Sequence, residues 1–278
     1  MSNITAEIEQ HIKSALDEDD LDLPSLPEVA LEIQDVADSD TVSAQSLSLV
    51  IGKDAGLAAQ LVRIANSPMF RATRSIDDLS QAISRLGVDY SANIVTGLAM
   101  RQMFQATSEM VDNKLRQVWK MSTEVASWSA LLCKKYTQLR PDQATLAGLT
   151  HCIGVLPILG WVEEHDNMIR DSMTLDRVID SLHPTIGTMI LKHWNFAEEI
   201  VSVPEHYASL NHQADKADYI DVVSVAHLLA LHDTDHPILE SNWQSSPAFT
   251  RLGLNPDWEQ DEMTELLSEV QEVQSVFQ

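Results

Sequence analysis

Apolar residues recur along this chain at intervals of three and four and almost never in strict alternation. Ile4, Ile8, Ile12 and Leu16 fall at i, i+4 and predict one apolar stripe, running into the acidic stretch Asp17-Glu18-Asp19-Asp20. Ser25 and Glu28 have capping-box spacing ahead of Val29, Ile33 and Val36. Asp54 is placed to cap a helix carrying Leu57, Leu61 and Ile64, which Asn66-Ser67-Pro68 ends. Ser75 and Asp78 open the next, with Leu79, Ala82, Ile83 and Leu86 inward and Gly87 as its stop. A further helix is expected from about Asp89 to Phe104.

The second half continues in the same period. A long helix is predicted over roughly 110–137, from Val111 through Trp119 and Val125 to Cys133. The segment 142–160 reads as one buried helix stopped by Pro157. His183, Ile186, Gly187, Ile190, Leu191 and Trp194 share one helix face, and 219–232 forms another apolar helix. Asn255-Pro256 is a helix start, and Met263, Leu266, Leu267, Val270, Val273 and Phe277 form the inward face of the last helix. No strand alternation, hairpin dipeptide, Gly-rich phosphate loop or internal repeat of 20–50 residues stands out. The fold class is therefore all-α. The polar run QATSEMVDN separates two periodic segments, which divides the chain into a five-helix lobe over 1–107 packed on a larger lobe over 108–278.

Charge narrows the partners. Eighteen Lys and Arg face 42 Asp and Glu, a formal charge of −24. The acidity is shared, with 7 basic and 16 acidic residues in the first lobe and 11 and 26 in the second. Nucleic acid and anionic membranes need basic patches, and the nearest approach here is the pair Lys134-Lys135, so neither is an expected partner. Two cysteines, Cys133 and Cys152, make no disulfide framework. The first residues lack a basic n-region and an apolar h-region, and no apolar run approaches the ~18 residues of a membrane span, so a cytoplasmic protein is expected.

Three stretches then carry a family resemblance: Leu23-Pro24-Ser25-Leu26-Pro27, IGKDAGLAAQLVRIANSPMF at 51–70, and SIDDLSQAISRLGVD at 75–89. Together they resemble the opening of an HDOD domain, a non-catalytic relative of the HD phosphohydrolases. Ala55 departs from the family's usual Pro after the Asp, but it suits a first helical turn equally. The second half is similar to the HD-like part of the same domain. Trp119 begins the helix that offers the first metal histidine in HD enzymes. Leu149 to Gly154 stand where those enzymes have His-Asp followed by Ile-Gly-Lys. His183 to Gly187 with Trp194 match the next helix, and Pro204-Glu205-His206-Tyr207 lies where many relatives end in a His-His pair. The resemblance covers roughly residues 20–235.

What the resemblance implies is a site whose chemistry has been dismantled. HD hydrolases hold divalent metals with His and Asp ligands, and the metal activates water against a phosphoester. The matching positions here are Met121, His151, Cys152 and His227, with Val155 at the nearby Lys position. Thioether and neutral thiol do not replace hard ligands. His151 is expected as a buried core histidine, His183 as a cap or a partner of a nearby backbone group, and His206 and His227 as packing residues. A zinc site through His151 and Cys152 is opposed by their adjacency, since neighbouring helical residues point about 100° apart. Cys152 lacks the electropositive surround of a nucleophile. Trp128 and Trp161 are expected half-exposed, where partner contacts often lie.

No catalytic residue, metal ligand or cofactor site is therefore assigned. The resemblance implies a bacterial signal-transduction module that binds other signalling proteins; the alternative is an HD-type phosphohydrolase with a rearranged metal site. After Leu252 the chain has seven acidic residues and no basic one, so its last helix presents an acidic outer face, serving solubility or docking.

Overall fold

The computed structural model describes residues 10–12, 14, 23–39, 41–70, 75–165, 172–232, 234, 236–256, 260–275 and 277. Among them every regular element is helical. The first lobe contains α1 (Glu28–Ala37), α2 (Ala44–Ile51), α3 (Ala55–Asn66), α4 (Leu79–Leu86) and α5 (Val88–Ala99), which tightens into a 3-10 turn at Met100–Met103. Of the first predicted stripe, Ile12 is fully buried; Ile4, Ile8, Leu16 and the acidic stretch lie outside the described residues.

Capping chemistry explains most of these boundaries. Asp54 accepts from the backbone of Gly56 and Leu57, and Asp78 from that of Gln81, which fixes α3 and α4 where their side chains predict. The expected Ser25–Glu28 box does not form: Pro27 takes the N-cap of α1 without a side-chain bond. Ser43 and Ser46 instead make a reciprocal box at α2. Asn66 ends α3 and then bridges forward, its amide donating to the Ile76 carbonyl at 2.7 Å and its oxygen accepting from Ile76 N at 2.8 Å.

The second lobe is organised by α6 (Glu109–Tyr136), a helix of 28 residues that α7 (Pro141–Thr150) and α12 (Tyr219–Ala230) both cross. The chain between them forms α8 (Val155–Glu164), α9 (Ser172–His193), and the short α10 (Glu198–Val201) and α11 (Val203–His206). The single helix expected over 142–160 is in fact two. It breaks at His151–Gly154, while Pro157 sits harmlessly in the first turn of α8, where its missing N–H was not needed. That 24-residue stretch, 141–164, is long and apolar enough by composition to cross a membrane, contrary to the expectation that no run approaches that length; 89% of its most apolar window is nevertheless buried inside the protein.

Close approach of backbones explains two glycines. A Cβ on Gly148 would lie 2.5 Å from Ala126 Cα, so only glycine lets α7 pack this tightly on α6. A Cβ on Gly154 would run into the His183 carbonyl and the backbone of Gly187, which brings the 151–154 turn directly against α9. One continuous core joins both halves, from Leu26 and Ile33 through Trp128 to Phe249. Trp128 is 1% exposed, against the half-exposed placement expected of it, because its position on α6 faces that core; Trp161 is half-buried as expected.

The C-terminal pair is α13 (Pro247–Leu252) and α14 (Gln260–Gln274). Asn255 and Pro256 precede α14 without being helical, and Asp257 and Glu259 lie outside the described residues. Leu266, Val270, Val273 and Phe277 are buried against α6, whereas Leu267 is turned outward and Met263 is only partly covered. The outer face is not uniformly free acid: Glu269 pairs with Lys135 of α6 at 2.5 Å.

Candidate functional site

The helix break at His151 opens onto a cavity around which the second lobe gathers several histidines, a cysteine and a tyrosine. Its volume is about 730 Å³, and its floor and walls include Met121, His151, Cys152, Val155, His183 and His227. The four positions matched to HD metal ligands thus converge, although they come from α6, the 151–154 turn and α12. Met121 comes from α6 itself, His151 and Cys152 from the turn after α7, and His227 from α12, which packs on α6.

Three of the inner side chains, His151, His183 and Cys152, have definite hydrogen-bond partners. His151 is 1% exposed, and its Nδ1 lies 2.7 Å from the Gly148 carbonyl oxygen. His183 Nδ1 donates to the Ile179 carbonyl at 2.7 Å, leaving Nε2 to accept the Tyr207 hydroxyl at 2.9 Å. Tyr207 packs edge-on against His151 and His227, with ring centres 4.8 Å and 5.0 Å away. The Cys152 thiol lies 3.2 Å from the Ser122 hydroxyl. His227 is half-buried, and its Nδ1 is buried with no partner.

Burial fixes the charge states. Desolvation brings His151 and His183 down to about 4, and pushes His227 well below its usual value, with repulsion from neighbouring imidazoles as a second cause. Desolvation also pushes the Cys152 thiol up to about 11 and Tyr207 well above its usual value. At neutral pH the inner site is a set of uncharged groups.

The donor set does not fit the hard divalent ion of an HD hydrolase. Met121 supplies a thioether and Cys152 a protonated thiol bonded to Ser122, where carboxylate and imidazole ligands would be needed. Asp176 and Asp180 stand at the cavity rim, the former tied to Lys114 at 2.5 Å. Among the described residues, three potential ligand atoms lie within 4.8 Å of one another only at His212, Asp218 and Asp221. That cluster is already committed. Asp221 is held by two bonds from Arg251, and Asp218 caps α12 while accepting from His212.

Two expectations for individual histidines need correction or completion. His206 is exposed rather than packed, because it ends α11 on the outer side and stacks on His212 with ring centres 6.2 Å apart. His183 bonds its own helix as foreseen, but its second partner is a side chain, Tyr207. That tyrosine is the group that sequence reasoning missed. It closes the Pro204-Glu205-His206-Tyr207 motif, and only the turn after α11 aims it back at the histidines.

A model of the HDOD domain matches residues 23–209. The chain belongs to the HDOD family. Over its whole length the HDOD protein described here is similar to a crystal structure from Shewanella amazonensis SB2B, described provisionally as a metal-dependent phosphohydrolase. The two are 29% identical, cover 100% of each other and superimpose with a TM-score of 0.88. A protein of Marinobacter aquaeolei VT8, described provisionally as a signal transduction protein, shares the fold at 20% identity and a TM-score of 0.65, over 99% of this chain and 67% of that one. An uncharacterised protein of Treponema pallidum (strain Nichols) is 24% identical over 209 residues, 70% of this chain but 39% of its own length. This chain thus spans about two fifths of that relative.

Proposed function

We propose that this HDOD protein is a non-enzymatic signalling module that works in the bacterial cytoplasm by binding separate signalling proteins. The observation that carries the reading is the inner donor set. Met121 and Cys152 stand where HD chemistry needs hard, charged ligands, and the two histidines beside them are held neutral by burial. Family membership and the signal-transduction description of the Marinobacter protein support it.

A second reading, a phosphohydrolase with a rearranged metal site, is favoured by the full-length likeness to the Shewanella protein. Metal analysis of the purified protein separates the two, run alongside phosphodiester turnover with and without chelator. A stoichiometric transition metal together with chelator-sensitive turnover overturns the signalling reading. His151→Ala gives a second separation: it is expected to lower stability by about 1–3 kcal/mol, since it strands the Gly148 carbonyl. Loss of turnover at unchanged stability would instead make His151 part of an active centre.

A further inference from the structure

The two imidazoles on the cavity floor present opposite hydrogen-bonding faces. Because His151 Nδ1 donates to Gly148, its Nε2 carries a bare lone pair, and no partner is recorded for it among the described residues. In His227 it is Nδ1 that is buried without a partner. A buried N–H without an acceptor is rarer and costlier than an unpaired lone pair, so the ring proton of His227 sits on Nε2. The floor therefore offers one acceptor and one donor, on rings whose centres are 5.8 Å apart.

The two polar groups beside these rings are already spent. The Tyr207 hydroxyl is given to His183, and the Cys152 thiol is paired with Ser122. Met121, Val155, Ile179 and Leu231 supply apolar wall. At the rim Lys114 is paired with Asp176, and Arg177 and Asp180 add one charge of each sign, so these lining residues carry no net charge to attract a phosphate. An apolar cavity of about 730 Å³ with a few convergent polar groups has the form of a small-molecule site.

We propose that this cavity binds a small uncharged molecule with a lactam edge, its N–H donated to His151 Nε2 and its carbonyl accepting from His227 Nε2–H. Shape and apolar contact hold the rest of a planar ring against Met121 and Val155. The inference goes beyond the signalling reading and stands without it, since a ligand here needs neither a metal nor a protein partner.

Calorimetric titration of the full chain with 2-pyridone and with quinolin-2(1H)-one tests it, followed by side-chain nitrogen NMR of the histidines. Saturable binding tighter than about 1 mM is expected for at least one of them, with the His151 and His227 ring signals moving on binding. The N-methylated lactams, which lack the donor, should bind at least tenfold more weakly. His227→Phe should cause a similar loss while the ring shape is kept. Met121→Trp fills the cavity from a half-buried wall position and should abolish binding even if His227→Phe fails to fold. Equal binding of the N-methylated lactams, binding that survives Met121→Trp, or no saturable binding by either lactam would overturn the proposal.

Discussion

Tyr207 gives its hydroxyl proton to Nε2 of His183 across 2.9 Å, linking the turn after α11 to the middle of α9. The direction is dictated by the other ring nitrogen, which already donates to the Ile179 carbonyl at 2.7 Å. Tyr207 also accepts the Ser224 hydroxyl at its backbone carbonyl, so one residue joins α9, the post-α11 turn and α12. Tyr207→Phe keeps the edge-on ring packing but strands a buried nitrogen. A loss of about 1–3 kcal/mol in denaturant unfolding is expected. A loss below about 0.3 kcal/mol would mean that the bond contributes nothing net.

Acid should weaken the fold before its carboxylates titrate. His151 and His183 fall to about 4 in the folded chain against an unfolded value near 6.5, and His227 is shifted the same way. The unfolded chain therefore binds more protons between those values, and stability rises with pH through that window. On acidification it should be intact above pH 7 and fall by about 1.4 kcal/mol per pH unit per histidine between roughly pH 6.5 and 4. Unfolding curves measured from pH 7.5 to 4.5 check this, and His151→Phe should flatten the slope. A flat profile over that range would show that the imidazoles are not buried as described.

Arg251 of α13 clamps the fully buried Asp221 of α12 through two bonds, of 2.7 Å and 2.5 Å, and donates to the His212 carbonyl at 2.8 Å. Removing only the cation leaves a buried carboxylate unpaired. Arg251→Ala is expected to cost about 3–5 kcal/mol, whereas Arg251→Met combined with Asp221→Leu should recover most of that loss. Thermal and denaturant unfolding of the two variants beside the unaltered protein decide it.

Gly154 is the contact point between the 151–154 turn and α9. Gly154→Ala forces a methyl into the His183 carbonyl and the Gly187 backbone, neither of which is a flexible side chain. Expected are a destabilisation of about 1–3 kcal/mol and displaced NMR signals for both His151 and His183, because the turn carries one and α9 the other. Gly160→Ala, in the α8 that follows and with open space around it, is the control: it should displace neither signal and should destabilise nothing, with a gain of up to about 1 kcal/mol from the better helix former.

The amino-acid sequence by itself determined the local architecture. Helix period, Asp54 and Asp78 as caps, and Gly87 as a stop depend on neighbours a few residues away, so they are legible without a fold. The convergence of Met121, His151, Cys152 and His227 was legible as well, through family resemblance rather than through spacing. Tertiary structure decided where local rules compete. Pro27 displaced the Ser25 box, and the helix over 142–160 broke at His151, where Gly154 gains a backbone approach that Pro157 could not provide. Trp128 went inward and Leu267 outward because burial depends on what crosses the helix, which periodicity alone does not state. The role of Tyr207 and the tautomers of His151, His183 and His227 belong wholly to the folded state. Each is set by a carbonyl, a hydroxyl or a missing partner that only the packing of α7, α9 and α12 brings within reach.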